Sequence, residues 1–169
     1  MRTTMQTMAA TVLGATTVAL VAAAVSVQAA SKTDNLTASA SVANNCTITT
    51  AALAFGAYDP VVANAASPLD GTGTVTVACT KNASTTIDLG NGANFSGTRR
   101  MTDGTDFLSY LVFSDAGRTT AWGTGAGNNV AYVAPDKNSK DLTAFGRVTA
   151  GQDVDAGNYS DTIVATINF

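Results

Sequence analysis

From Leu36 onward the apolar side chains fall on every second residue: Leu36, Ala38, Ala40 and Val42, then Cys46 and Ile48. The positions between them are polar: Thr37, Ser39, Ser41, Thr47 and Thr49. A period of two is that of a β-strand with one face turned to a core. Asn44-Asn45 breaks the pattern and predicts a bend or bulge. Leu53-Ala54-Phe55-Gly56 is a short apolar piece, and residues 57–73 read as a long loop because they carry Asp59-Pro60, Ser67-Pro68 and Asp70-Gly71.

Alternation resumes over residues 74–79, with Val75, Val77 and Cys79 on one face. Residues 85–89 predict a further strand, ended by Gly90-Asn91-Gly92. Residues 107–113 (FLSYLVF) are the most apolar run after residue 30 and predict a central strand, turned by Asp115-Ala116-Gly117 and answered by a return over residues 119–122. Two more strands are expected at residues 130–133 and 142–149, and a last one over residues 159–169. In that last strand Ile163, Ala165, Ile167 and Phe169 share a face. About eight short strands separated by turns, with no amphipathic helix, predict an all-β fold, a two-sheet antiparallel sandwich.

Composition agrees. Every one of the 12 acidic residues is Asp, and the chain is rich in Thr, Ser, Asn, Gly, Val and Ala rather than in the residues that cover helix surfaces. The first residues read differently. Arg2 gives a short positive start, residues 9–27 carry no charge, and Val27-Gln28-Ala29 offers the small residues that signal peptidase accepts. Residues 1–29 are thus expected to be a signal peptide, cut after Ala29 or one residue later. A retained anchor is the competing reading, since an uncharged run of this length just spans a bilayer. After cleavage about 140 residues would remain, enough for one domain, with no membrane span and a net charge of about −4. That balance argues against nucleic-acid binding; beyond Arg99-Arg100 no basic residues cluster.

The two cysteines, Cys46 and Cys79, lie in the exported part, where an oxidising compartment favours the single disulfide they allow. Both fall on the inward face of their predicted strands. Two free thiols or a metal pair are the alternatives, and neither cysteine has a neighbouring ligand in sequence.

Catalytic chemistry finds little to work with. The chain has no histidine, so Ser-His-Asp and Cys-His sites and histidine-bearing metal sites are excluded. Asp103 with Asp106, and Asp153 with Asp155, are the nearest carboxylate pairs in sequence, but both sit in turns, where Asp caps local amides. Calcium binding by Asp103, Asp106 or Asp153 lacks the spacing of an EF-hand. The glycines from 123 to 127 lack the Lys-Ser/Thr and the following helix of a phosphate cradle. The sequence therefore predicts a protein that is not an enzyme and uses no cofactor or metal.

The segment before Cys46 has two readings. It is either the first strand of its own sandwich, or an extension that leaves its domain and completes the sheet of a neighbour. Strand addition to an exposed edge supplies backbone hydrogen bonds, and alternate side chains fill pockets.

Several motifs, in order along the chain, resemble the spore coat protein U domain family, which includes the Csu-type pilins of the archaic chaperone–usher pathway. They are Cys46-Thr47-Ile48, Leu53-Ala54-Phe55-Gly56 and Val75-Thr76-Val77-Ala78-Cys79. Next come Tyr110, Asp115-Ala116-Gly117-Arg118 and Trp122-Gly123-Thr124-Gly125, then Gly157-Asn158-Tyr159-Ser160-Asp161 with the strand to Phe169. The resemblance implies an incomplete immunoglobulin-like β-sandwich, residues 46–169, that lacks its final strand. A donor-strand extension at residues 30–45 would precede it. A periplasmic chaperone would fill the groove first, and the extension of the next pilin subunit would replace it at an outer-membrane usher. Carried onto this chain, the donor residues would be Leu36, Ala38, Ala40 and Val42, and the acceptor groove would be lined partly by Ile163, Ala165, Ile167 and Phe169. The resemblance implies a single-domain subunit of a surface fimbria supporting adhesion and biofilm formation. The other readings are a spore coat structural protein, or a self-contained secreted carbohydrate-binding module with Trp122 and Tyr110 as stacking platforms.

Overall fold

The computed structural model describes residues 27–169, so the predicted signal peptide falls outside the described residues except for its last three. Residues 27–45 form no helix or strand and are exposed; Leu36 is 97% and Val42 84% accessible. No helix among the described residues is long and apolar enough to cross a membrane.

The domain from Cys46 onward is built of eight strands: β1 (Cys46–Ala54), β2 (Leu69–Cys79), β3 (Ser84–Leu89), β4 (Arg99–Thr102), β5 (Phe107–Phe113), β6 (Val130–Val133), β7 (Lys140–Val148) and β8 (Ala165–Asn168). They form two antiparallel sheets, ordered β1-β2-β7-β5-β4 and β6-β3-β8. The inward faces of both sheets meet in one core. It contains Val75 and Val77 from β2, Ile87 and Leu89 from β3, Leu108, Tyr110 and Val112 from β5, and Ala144 and Val148 from β7, closed by Trp122. The period-two pattern places these residues inside, and their burial supplies most of the driving force.

Cys46 stands directly opposite Cys79 in the β1–β2 ladder, with Cα atoms 4.1 Å apart, and the two form the disulfide. That spacing suits an antiparallel pair of the closer kind. The bridge joins a small second cluster of Ala83, Ala134, Tyr132 and Ile167 at the end of the sandwich where β1 begins.

Between Cys46 and Trp122 the elements depart from the sequence expectation in four places. β1 runs on to Ala54 through a register shift between Ala51 and Ala54, one extra residue that moves the inward set from even to odd numbers. The interruption that separated Leu53 and Phe55 from Cys46 and Ile48 is this bulge. β2 starts at Leu69, inside the expected loop. There Gly73 has a packing role, because a Cβ would lie 2.9 Å from the Cα of Leu53. β4 was not expected: only Met101 of its four residues is apolar. Its inward Arg99 is held by the backbone oxygens of Gly90, Leu89 and Trp122 at 2.9, 2.8 and 2.9 Å. The return over residues 119–122 is a single bridge, Phe113 to Ala121, because the Asp115 carboxylate gathers the N–H groups of Thr119 and Thr120 into a turn.

Candidate functional site: a groove between two edge strands

β1 ends the order of the larger sheet and β8 that of the smaller one. The two edges approach each other along one side of the sandwich. Opposed edges of this kind present backbone N–H and C=O groups to whatever lies between them. β1 runs away from the disulfide end and β8 runs toward it. Cys46 and Ile167 meet in the disulfide cluster, whereas Leu53 and Ile163 meet at the other end of the cleft.

A cavity of about 300 Å³ lies in this cleft. Leu53 and Phe55 form one wall, Ile163 and Ala165 the other, and Val75, Tyr110, Val112 and Ala144 the floor. The cleft widens into a lobe of about 680 Å³ under the loops at residues 55–60 and 154–159, where Leu108, Val148 and Val154 add apolar surface. Gly146 makes room for this architecture: a Cβ there would stand 2.6 Å from the Phe55 ring.

A polar network fixes the wall before β8. The Tyr110 hydroxyl donates to Asp161 Oδ2 at 2.6 Å, while Asp161 Oδ1 accepts the backbone N–H and the side-chain amide of Asn94, each at 3.2 Å. Burial, reinforced by the Asp161 carboxylate, raises the Tyr110 phenol well above its ordinary pKa, so it stays a donor. Burial lowers the pKa of Arg99, and the Asp161 carboxylate opposes that shift. Beside this network the segment before β8 makes isolated backbone bonds rather than a continuous ladder: Gly90 N–H bonds Val164 O, Ala93 N–H bonds Thr162 O, and Ser160 bridges Thr102. The expected last strand is thereby shortened to Ala165–Asn168. Asp161 belongs to a motif that the sequence reading used for resemblance alone; its role depends on a partner 51 residues away.

Of the four expected groove residues, Ile163, Ala165 and Ile167 pack against the core, and Ile163 and Ala165 line the cavity. Phe169 lies beyond the end of β8 and is 56% exposed. The four expected donor residues, Leu36, Ala38, Ala40 and Val42, all lie in the exposed strand-free segment. Leu53, Phe55 and Tyr110 were missed as groove residues; the odd-numbered pattern after the bulge is the signal that marks Leu53 and Phe55.

The stacking role considered for Trp122 and Tyr110 is overturned. They are 1% and 3% exposed, Trp122 Nε1 donates to Ile87 O at 2.9 Å, and neither offers a face to solvent. Asp103 accepts the N–H groups of Thr105 and Asp106, both at 2.9 Å, and Asp106 accepts that of Asp155 at 3.0 Å, so these acids shape turns.

An all-β sandwich with a disulfide between its first two strands and a cleft between two edge strands defines an incomplete immunoglobulin-like domain. The chain belongs to the Spore Coat Protein U domain family, which matches residues 32–166. It is 38% identical to Protein U of Myxococcus xanthus over 175 residues, covering 91% of this chain and 97% of that protein. Its fold is similar to a chain in the crystal structure of the CsuC–CsuE chaperone–tip adhesion subunit pre-assembly complex from the archaic chaperone–usher Csu pili of Acinetobacter baumannii. The TM-score is 0.56 with 22% identity over 76% of this chain, which spans only 40% of the chain it matches.

Proposed function

We propose that this chain is an exported structural subunit of a surface pilus, assembled by donor-strand complementation. Residues 30–45 of one subunit enter the β1–β8 cleft of the next. Leu36, Ala38, Ala40 and Val42 then point into the space beside Ile163, Ala165 and Ile167, with Phe169 at the cleft's end. A periplasmic chaperone occupies the cleft during transit, and an outer-membrane usher mediates the exchange; the assembled fibre supports adhesion and biofilm formation. One observation carries this reading. An apolar cleft lies between two edge strands of a chain that also bears an exposed, strand-free segment of alternating apolar residues. Membership of the Spore Coat Protein U domain family favours a second setting, a spore coat, in which the same strand exchange would build a coat rather than a fibre.

The test is the variant Leu36→Asp/Val42→Asp in cells that display the fibre. Each aspartate would bring a charge into an apolar cleft at a cost of several kcal/mol. Folded, disulfide-bonded subunit should accumulate in the periplasm without surface fibres. Fibres of normal abundance would refute the assignment.

A further inference from the structure

The two ends of the sandwich differ in charge. At one end lie the loops at residues 55–68, 103–106 and 149–159, which carry Asp59, Asp103, Asp106, Asp153 and Asp155 and no Lys or Arg. Hydrogen bonds tie these loops together: Asp155 N–H to Asp106, and Tyr58 Oη to Thr149 O and to Gln152 N–H. Asp59 accepts the N–H groups of Val61 and Val62, and so fixes two valines that are 81% and 77% exposed at the loop surface. At the opposite end, where the disulfide sits, the loops carry Lys81 and Lys137, with Lys140 at the start of β7, against Asp136 and Asp141.

We infer that the aspartate end of one subunit docks on the lysine end of a second copy, so that a charged contact between subunits accompanies strand exchange. This rests on the donor-strand reading. The extension leaves its own domain at the lysine end, where Asn45 N–H bonds Thr80 Oγ1 at 3.0 Å. From Val42 to Cys46 is four residue steps, a reach of about 14 Å at most, so the domain ends must lie close together. The extension can enter the neighbouring cleft from either end. Entry at the lysine end would bring together two like ends, each with three lysines against two aspartates and so a net positive charge. Entry at the aspartate end, where the wide lobe of the cleft opens beside Tyr58 and Asp155, sets opposite charges face to face. Opposed patches steer association and fix orientation more than they add affinity. Their effect falls beyond about 8 Å at physiological salt.

The test uses the mature chain, residue 30 onward, with Asp153→Lys/Asp155→Lys, with Lys81→Asp/Lys137→Asp, and with all four changes together. None of these four side chains caps a turn in the hydrogen bonds described above. Polymerisation is followed by light scattering at low salt, and binding of a peptide of residues 31–43 is measured alongside. Each pair of changes should slow polymerisation about tenfold, within the range of electrostatic steering, and the four together should restore most of the rate. Peptide binding should be the same in Lys81→Asp/Lys137→Asp as in the wild type, since neither lysine lines the cleft. Pairs that do not slow assembly, or that the combination fails to rescue, overturn the docking contact while leaving strand exchange intact. A wild-type chain that binds no peptide and does not polymerise overturns both.

Discussion

Tyr110→Phe removes one hydroxyl and leaves the ring in place against Phe55, whose centroid is 5.8 Å away at an interplanar angle of 63°. The lost bond is the 2.6 Å donation to Asp161. A hydrogen bond to a charged acceptor contributes about 1.5–3 kcal/mol. With an unfolding entropy of roughly 2.1 cal/mol/K per residue, a loss near 2 kcal/mol lowers the Tm of a domain this size by about 7 °C. Asp161→Asn should cost a similar amount, and the double variant less than the sum, because both changes break one interaction. The alkaline limb gives an independent readout. The folded-state pKa of Tyr110 is raised, chiefly by burial and then by Asp161. Its contribution is therefore fully present below the unfolded tyrosine value near 10 and is lost as pH rises through the higher folded value. Denaturant melts between pH 8 and about 12 should show the gap between wild type and Tyr110→Phe narrowing above pH 10. Tyr159, also shifted upward by partial burial, keeps part of the limb in the variant. A Tm change under about 2 °C with an unaltered alkaline limb would show that this bond does not hold the groove wall.

Other outcomes follow from the same structure. Cys46→Ser/Cys79→Ser opens a link of sequence separation 33, and urea melts should show a loss of about 3–4 kcal/mol on the loop-entropy account. Gly73→Ala places a methyl 2.9 Å from the Leu53 backbone, so β1 must shift at the cleft's margin, and calorimetry should register a loss of about 1–3 kcal/mol. On the acid side, Asp59 and Asp103 are held below the ordinary carboxylate pKa by backbone amides, chiefly those of Val62 and Asp106, and Asp70 by the Arg147 guanidinium. Depressed values confer stability that is present above the unfolded pKa near 3.9 and lost as pH falls through the folded ones. Thermal melts should accordingly hold level down to about pH 4 and drop below it, with a shallower drop in Asp70→Asn.

Much of the sandwich was legible because period-two alternation survives where a strand has one wet face, as over residues 74–79 of β2, and because β5 is a nearly continuous apolar run. Cys46 and Cys79 could be paired because both fell on inward positions. β4 was hidden because an arginine stands inside it, which becomes reasonable only once three carbonyl oxygens from distant residues are seen to receive it. The start of β2 was hidden because Asp70-Gly71 reads as a turn. Asp70 instead makes ion pairs with Arg147 and Arg118 across the sheet surface, at 2.7 and 3.3 Å. The cleft itself was placed only in part, since its β1 wall depends on a one-residue bulge that reverses which side chains face inward.

The most direct test of donor-strand exchange uses mature Leu36→Asp/Val42→Asp, which keeps every residue of the cleft. It is titrated with a peptide of residues 31–43. Seating Leu36 and Val42 removes two large side chains from water, about 1.5–3 kcal/mol each. The peptide should bind with one-to-one stoichiometry and raise the Tm, and a peptide carrying Leu36→Asp should bind at least tenfold more weakly. Failure of the natural peptide to bind a well-folded variant would contradict the account. Unfolding of the variant would contradict it equally, because the segment would then be a strand of its own domain.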